Sequence, residues 1–363
     1  MKSKAMVLKE FNKPLQMTEF EIPILEEGQV LIKVEAAGIC GSDIHMWKGE
    51  DPRTPLPMIL GHEGIGKVAD IAGRKTYLNG GEIKLGDLVL WNRGVSCHKC
   101  YYCNILKDPS LCENRKVYGI NISSSNPPYL NGCYSEYIIL SQTTDIFKIT
   151  EDIDPAILVS ASCSGATAAH AFDMVKINSG DNIVIQGPGP LGMFAVAFSK
   201  DLGASNIIVI GGSKERLKLC KTFGANHVLD RHNLTKEERK EFIMEATGGR
   251  GADIVIEAVG VKGAAEEGIK LLRMGGTYLS TGFAQPAGME QIDFFKDIVR
   301  KNIKVQGVWV SDASHTYKAM KLVLKNKVAF SAMITHRFKL ENANEAIKVM
   351  NSKEALKAVL ISS

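Results

Sequence analysis

The stretch Asn182-Ile-Val-Ile-Gln-Gly-Pro-Gly-Pro-Leu-Gly192 decides the fold. A strand-length apolar run, Asn182 to Gln186, passes into the turn Gly187-x-Gly-x-x-Gly192 and then into an apolar helical stretch reaching about Leu202. Strand, glycine turn and helix in that order open a βαβ unit, because glycines permit a tight turn and a close helix–strand approach that a Cβ would block. The alternation continues downstream. The pattern predicts a second strand from Ile207 to Ile210, a helix from about Lys214 to Phe223, a strand from Ala252 to Glu257, and a further helix and strand between about Lys262 and Thr281. Such alternation builds an α/β fold with a doubly wound parallel sheet.

Upstream of residue 160 the texture changes. Short alternating segments, such as Gln29-Val-Leu-Ile-Lys-Val34 and Asp87-Leu-Val-Leu-Trp91, are separated by Gly and Pro and predict an antiparallel, barrel-like domain. After about Val308 the α/β alternation stops, leaving a helix pattern over Thr316 to Lys325 and a closing strand Lys357-Ala-Val-Leu-Ile361. The tail is therefore assigned to the first domain, giving residues 1–164 with 309–363 as one domain and 165–308 as the other. A chain of 363 residues, too long for one ordinary core, agrees with two domains.

Composition removes several function classes. Apolar runs such as Asn206-Ile-Ile-Val-Ile210 are far shorter than the ~18 residues of a membrane span, so no membrane partner is expected. The 44 basic and 40 acidic residues are spread along the chain without a basic stripe, which argues against nucleic acid. Lys9 and Glu10 interrupt the first apolar run, so a secretory signal is not expected and a cytoplasmic location is.

In a reducing compartment, crowded cysteines point to metal or catalysis more than to disulfides. Four of the eight cysteines lie in Cys97-His-Lys-Cys-Tyr-Tyr-Cys-Asn-Ile-Leu-Lys-Asp-Pro-Ser-Leu-Cys112. Cys97, Cys100, Cys103 and Cys112 suit a tetrahedral zinc, and four thiolates leave no open position, so this site is read as structural. A redox pair would normally follow a strand of a thioredoxin-like unit, and a DNA-binding finger needs a basic helix where only Lys99 and Lys107 stand.

Gly61-His-Glu-x-x-Gly66, Cys40 followed by Gly-Ser-Asp-x-His45, the four-cysteine lobe and the glycine turn stand in the order and spacing of the zinc-dependent medium-chain alcohol dehydrogenases. The chain resembles that family over essentially its whole length. The resemblance implies a GroES-like barrel carrying catalysis and a Rossmann domain binding NAD or NADP, with two zinc ions per chain. It implies a catalytic zinc held by Cys40, His62 and Cys163, with Glu63 able to approach the metal and Asp43 orienting the histidine. It also implies a proton relay through Ser42 and His45, and contacts to the cofactor from Thr167 and Lys357. A homodimer or homotetramer acting on a small alcohol or polyol is expected.

The glycine turn itself offers Gly187, Gly189, Pro190, Leu191 and Gly192 to a pyrophosphate, because backbone N–H groups at a helix N-terminus attract anions. At the end of the second strand, Ile210-Gly-Gly-Ser-Lys-Glu-Arg216 puts Gly211 where an NAD enzyme usually carries a carboxylate. Ser213, Lys214 and Arg216 can contact a 2′-phosphate or form a solvated first helical turn, so both cofactors stay open. Ile44, Trp47, Tyr118 and Trp309 are candidate pocket walls, and His315 either meets substrate or sits in a capped helix start. Two rival readings are a silent zinc-stabilised dinucleotide-binding protein and a zinc-independent quinone reductase-like enzyme of the same superfamily.

Overall fold

The structure, a computed structural model, describes residues 1–362. It divides into two compact units: Met1–Ala166 with the segment from Ser311 onward, and Thr167–Val310.

In the first unit, the strand Val30–Ile39 is the hub of a seven-stranded sheet. It pairs antiparallel with Glu63–Ile71 along its length, with Tyr137–Leu140 at one end and with Lys357–Ile361 at the other. Its residues Val30, Ile32 and Val34 point into a core shared with Val68, Val89, Trp91, Tyr134, Ile138 and Leu360. Trp91 is fully buried against Gly64, where a Cβ would lie 2.5 Å from the indole, so the glycine makes room for the largest side chain of this core. Removing such a ring costs about 3–5 kcal/mol. The expected strand Lys357–Ile361 forms as read, and because it pairs with the hub, the far end of the chain is tied to the first unit.

The second unit is a six-stranded parallel sheet. Numbered within the unit, its strand order is 3-2-1-4-5-6: His227–Asp230, Asn206–Gly211, Asn182–Gln186, Ala252–Glu257, Leu272–Ser280, Lys304–Gly307. The order reverses beside the first strand, so the crevice at its carboxyl end is the place where such a sheet takes a ligand. The helices Pro190–Asp201, Lys214–Phe223 and Ala264–Leu271 fall where the pattern predicts them. Three elements carry no clear apolar period. His227–Asp230 is a four-residue strand, the edge strand Lys304–Gly307 is mostly exposed, and the helix Lys236–Ala246 buries only Arg239 and Ile243. That helix does carry a legible start, since Thr235 and Glu238 form a reciprocal capping box.

Candidate active site

Cys40 ends the hub strand region and caps the helix Gly41–Lys48. His62 precedes the strand Glu63–Ile71, and Cys163 follows a buried 3-10 segment, Pro155–Ser162. The antiparallel register Gly38↔Glu63 brings the first two segments together. Gly38 is glycine for a reason of space, because a Cβ there would lie 2.2 Å from the Glu63 carboxylate. One donor atom from each of Cys40, His62, Glu63 and Cys163 lies within 4.8 Å of all the others.

These donors fit zinc. The Cys40 and Cys163 sulfurs are 3.9 Å apart, against the about 3.8 Å that two thiolates span across a tetrahedral zinc at ~2.3 Å each. His62 is fully buried, and its Nε2 has no hydrogen-bond partner. A buried imidazole nitrogen left unpartnered is costly unless a ligand takes it. Its Nδ1 lies 3.3 Å from Asp43 Oδ1, and the other Asp43 oxygen accepts from the Cys40 backbone N–H at 2.7 Å. Asp43 thus places its charge against a ligand ring and holds the chain at a ligand thiol. Burial pushes the His62 imidazole down, but Asp43 and Cys40 outweigh it and lift it to about 9. The hydrogen bond between the thiols holds Cys40 well below the usual thiol range and Cys163 well above it.

Lys357 is buried in this same cluster, its Nζ donating to Glu63 Oε2 at 2.7 Å and to the Ile39 carbonyl at 3.3 Å. Burial alone would lower the Lys357 ammonium, but the Glu63 carboxylate and Cys40 outweigh it, and the group stays charged. With one oxygen held by Lys357, Glu63 keeps Oε1 buried and unpartnered. The sequence carried no signal for this Lys357–Glu63 pair.

Ser42 and His45 share one face of the Gly41–Lys48 helix, three residues apart. Ser42 Oγ lies 3.9 Å from the Cys40 sulfur, and His45 Nδ1 lies 2.5 Å from Glu50 Oε2. Glu50, one turn beyond, is a partner that the sequence pattern did not single out. Two expected walls are otherwise engaged. The Tyr118 hydroxyl is buried between Thr144 and the Ser141 N–H, and Trp47 donates its indole N–H to the Lys13 carbonyl at 2.7 Å. His315 takes the capped-helix alternative, accepting from the Asp312 N–H at 3.0 Å while Asp312 accepts in return.

The four lobe cysteines likewise place their sulfurs within 4.8 Å of one another. Cys100 and Cys103 are 3.5 Å apart, and the Cys97 N–H donates to Cys112 at 3.3 Å. All eight cysteines are free thiols. His98 is exposed and leaves the lobe to its thiols.

In the second unit, Gly187 has φ +110° and Gly192 packs so tightly that a Cβ would lie 1.8 Å from the Gly187 carbonyl. Pro190 and Leu191 open the helix, and nothing lies within 4 Å of a Cβ built on Gly189, so the backbone there is open to a ligand. Thr167 is half-buried on the helix Ser164–Met174. At Gly211 a Cβ would lie 2.5 Å from the Pro188 ring, so the position is closed to a carboxylate by packing as well as by residue choice. Ser213 caps the next helix through the Arg216 N–H, Lys214 is exposed, and burial lowers the Arg216 guanidinium. Arg231 and His232 also reach Gly212, where a Cβ would lie 2.8 Å and 2.6 Å from their ring or guanidinium nitrogens. Only the parallel pairing of Gly211 with Asp230 brings them there, which is why the sequence did not reveal them.

Residues 26–151 match the alcohol dehydrogenase GroES-like domain, and residues 190–325 match the zinc-binding dehydrogenase family. An alcohol dehydrogenase from Thermotoga maritima is 48% identical, with both chains covered completely and a TM-score of 0.98. Sorbitol dehydrogenase of Halalkalibacterium halodurans is 33% identical over 92% of this chain and 91% of its own. The chain belongs to the zinc-binding alcohol dehydrogenase family. 5-exo-Hydroxycamphor dehydrogenase of Pseudomonas putida, 31% identical over 95% of both chains, is a further relative. The enzyme is thus a zinc-type, NAD(P)-linked dehydrogenase with a GroES-like and a Rossmann domain, and neither rival reading is favoured. Among the described residues, no helix is long and apolar enough to cross a membrane.

Proposed function

We propose that this enzyme transfers a hydride between a secondary alcohol, diol or polyol and NAD or NADP, with Cys40, His62 and Cys163 holding the catalytic zinc. The observation that carries the reading is the convergence of these three distant donors around the unpartnered His62 Nε2. Three protein ligands leave a position for substrate oxygen, and a zinc bound there supplies the Lewis acidity that releases an alcohol proton near neutral pH. Glu63, steadied by Lys357, is the fourth group that can approach the metal. Cys97, Cys100, Cys103 and Cys112 hold the second, structural zinc.

The chain's own residues carry the proton outward. Ser42, beside Cys40, accepts the proton from the substrate hydroxyl and passes on its own toward His45. His45 donates Nδ1–H to Glu50, which leaves Nε2 as the accepting nitrogen. Residues 1–164 and 309–363 then form the catalytic domain, and residues 165–308 the dinucleotide domain. There Gly187, Gly189, Pro190, Leu191 and Gly192 meet the pyrophosphate, Thr167 approaches the nicotinamide, and Gly211, Ser213, Lys214 and Arg216 line the ribose 2′ position. A homo-oligomeric, cytoplasmic enzyme is the form expected to act on this small-molecule substrate.

Turnover of a panel of alcohols and polyols with both cofactors, run beside a metal count and size determination in solution, tests the reading. Two zinc ions per chain with chelator-sensitive oxidation of at least one alcohol support it. A fully metallated protein that oxidises no member of the panel overturns it.

A further inference from the structure

Arg93 stands between the strands Leu88–Trp91 and Gly94–Val95, four residues before the first lobe cysteine. It is 6% exposed, and its Nε is buried without a hydrogen-bond partner. Among the described residues no carboxylate pairs with it, and its backbone carbonyl, not its side chain, takes the bond from the Tyr118 N–H. Among the described residues, the other lysine and arginine buried to this degree are compensated. Lys357 is held by Glu63, and Arg239 by Glu267 and the Leu234 carbonyl. The half-buried Arg115 donates to the carbonyls of Ser311 at 2.6 Å and Pro109 at 3.3 Å, although its Nε, like that of Arg93, has no partner.

The surroundings make the missing partner more costly. Arg115 lies flat over Gly94, where a Cβ would be 1.9 Å from its Nη2, so a second guanidinium is packed beside the residue that follows Arg93. Burial and, next, the Arg93 charge lower the Arg115 guanidinium to about 10, against the pull of Asp312. Geometry ties Arg93 to the catalytic segment: its carbonyl accepts from the Tyr118 N–H, and the next residue, Gly119, packs against the Gly61 backbone, one residue before His62. A buried cation without a counter-charge is strongly disfavoured, and where one persists beside a reaction centre its anion is expected to come with the ligand.

The geometry points to Arg93 as the residue that recognises an anionic group, a carboxylate or phosphate, on the alcohol substrate. This rests on the dehydrogenase reading above and narrows its substrate class to hydroxy acids or phosphorylated polyols. A guanidinium offers paired N–H donors that match either oxyanion.

The test compares matched substrates that differ only in the anion: 3-hydroxybutyrate against 2-butanol, and glycerol 3-phosphate against glycerol. The two pairs separate a carboxylate from a phosphate ligand. The metal-replete enzyme is expected to favour one anionic member in kcat/KM, and Arg93→Met to reduce the anionic-to-neutral ratio by about 10–100-fold, the loss of one charge-assisted hydrogen-bond pair. Arg93→Lys, which keeps the charge but not the paired donors, retains part of the ratio. Melting of the protein without substrate adds a readout independent of turnover. Acetate or inorganic phosphate raises the melting temperature of the wild type more than that of Arg93→Met, and without anion the Met variant melts at or above the wild type, because an unpaired charge has been removed. An unchanged ratio, an equal loss on both members of each pair, or a Lys variant as impaired as Met overturns the proposal. Failure of every alcohol instead overturns the dehydrogenase reading and leaves the anion-dependent melting as the test of Arg93.

Discussion

The two sulfur clusters of the first domain offer similar donor sets by opposite routes. The lobe gathers four thiols from one short loop, Cys97 to Cys112. Its sulfurs are braced by the chain itself, and backbone N–H groups hold Cys97 down to about 6 while burial pushes Cys103 up to about 12. The other cluster draws Cys40, His62, Glu63 and Cys163 from three separate segments and buries them beside Asp43 and Lys357. Four local thiols close a coordination sphere, whereas three distant donors with a carboxylate held back by a lysine leave it open. Local assembly suits a structural ion, and long-range assembly in a buried charged shell suits a reactive one.

Removing a ligand from each cluster should break this contrast most sharply. His62→Ala is expected to abolish turnover and to cut the metal content from two zinc ions per chain to one, read by elemental analysis. Activity that persists at full rate would remove His62 from the metal. Cys103→Ser is expected to lose the other zinc and lower the melting temperature, because a structural zinc contributes folding energy directly. Its turnover per folded molecule should fall far less than that of His62→Ala.

The charged shell allows a finer test. Lys357→Met leaves Glu63 buried without its counter-ion and should destabilise the enzyme by about 3–5 kcal/mol in denaturant unfolding. Lys357→Met combined with Glu63→Gln should recover most of that loss, and a strictly additive double variant would contradict the pairing. The smallest effect is expected from Asp43→Asn, which keeps the shape but weakens the orientation of His62. Zinc affinity at the catalytic site should fall by about 10–100-fold in a competition titration, with the lobe zinc unaffected.

The same division governs how much could be read in advance. The glycine turn, the lobe and the strands Asn182–Gln186, Ala252–Glu257 and Lys357–Ile361 are local patterns, and they appear where their residues predict. The strand His227–Asp230 and the helix Lys236–Ala246 were missed because few of their side chains are buried, although the Thr235–Glu238 capping signal was present. Cys40, His62 and Cys163 each looked like an ordinary glycine-flanked residue. Only the family resemblance placed them together, and the register Gly38↔Glu63 supplies the physical reason for the first two.

Residue type and short-range spacing by themselves determined the Rossmann strand and turn, the four-thiol lobe and the broad chemistry, since each depends on backbone geometry or ligand softness within a few residues. Tertiary structure alone decided that Lys357 pairs with Glu63, that Glu50 meets His45, that Arg231 and His232 reach Gly212, and that Arg93 is buried without a counter-charge. Charge pairing in a low-dielectric interior depends on which side chains long-range sheet pairing brings within a few ångströms, and linear spacing does not encode that distance.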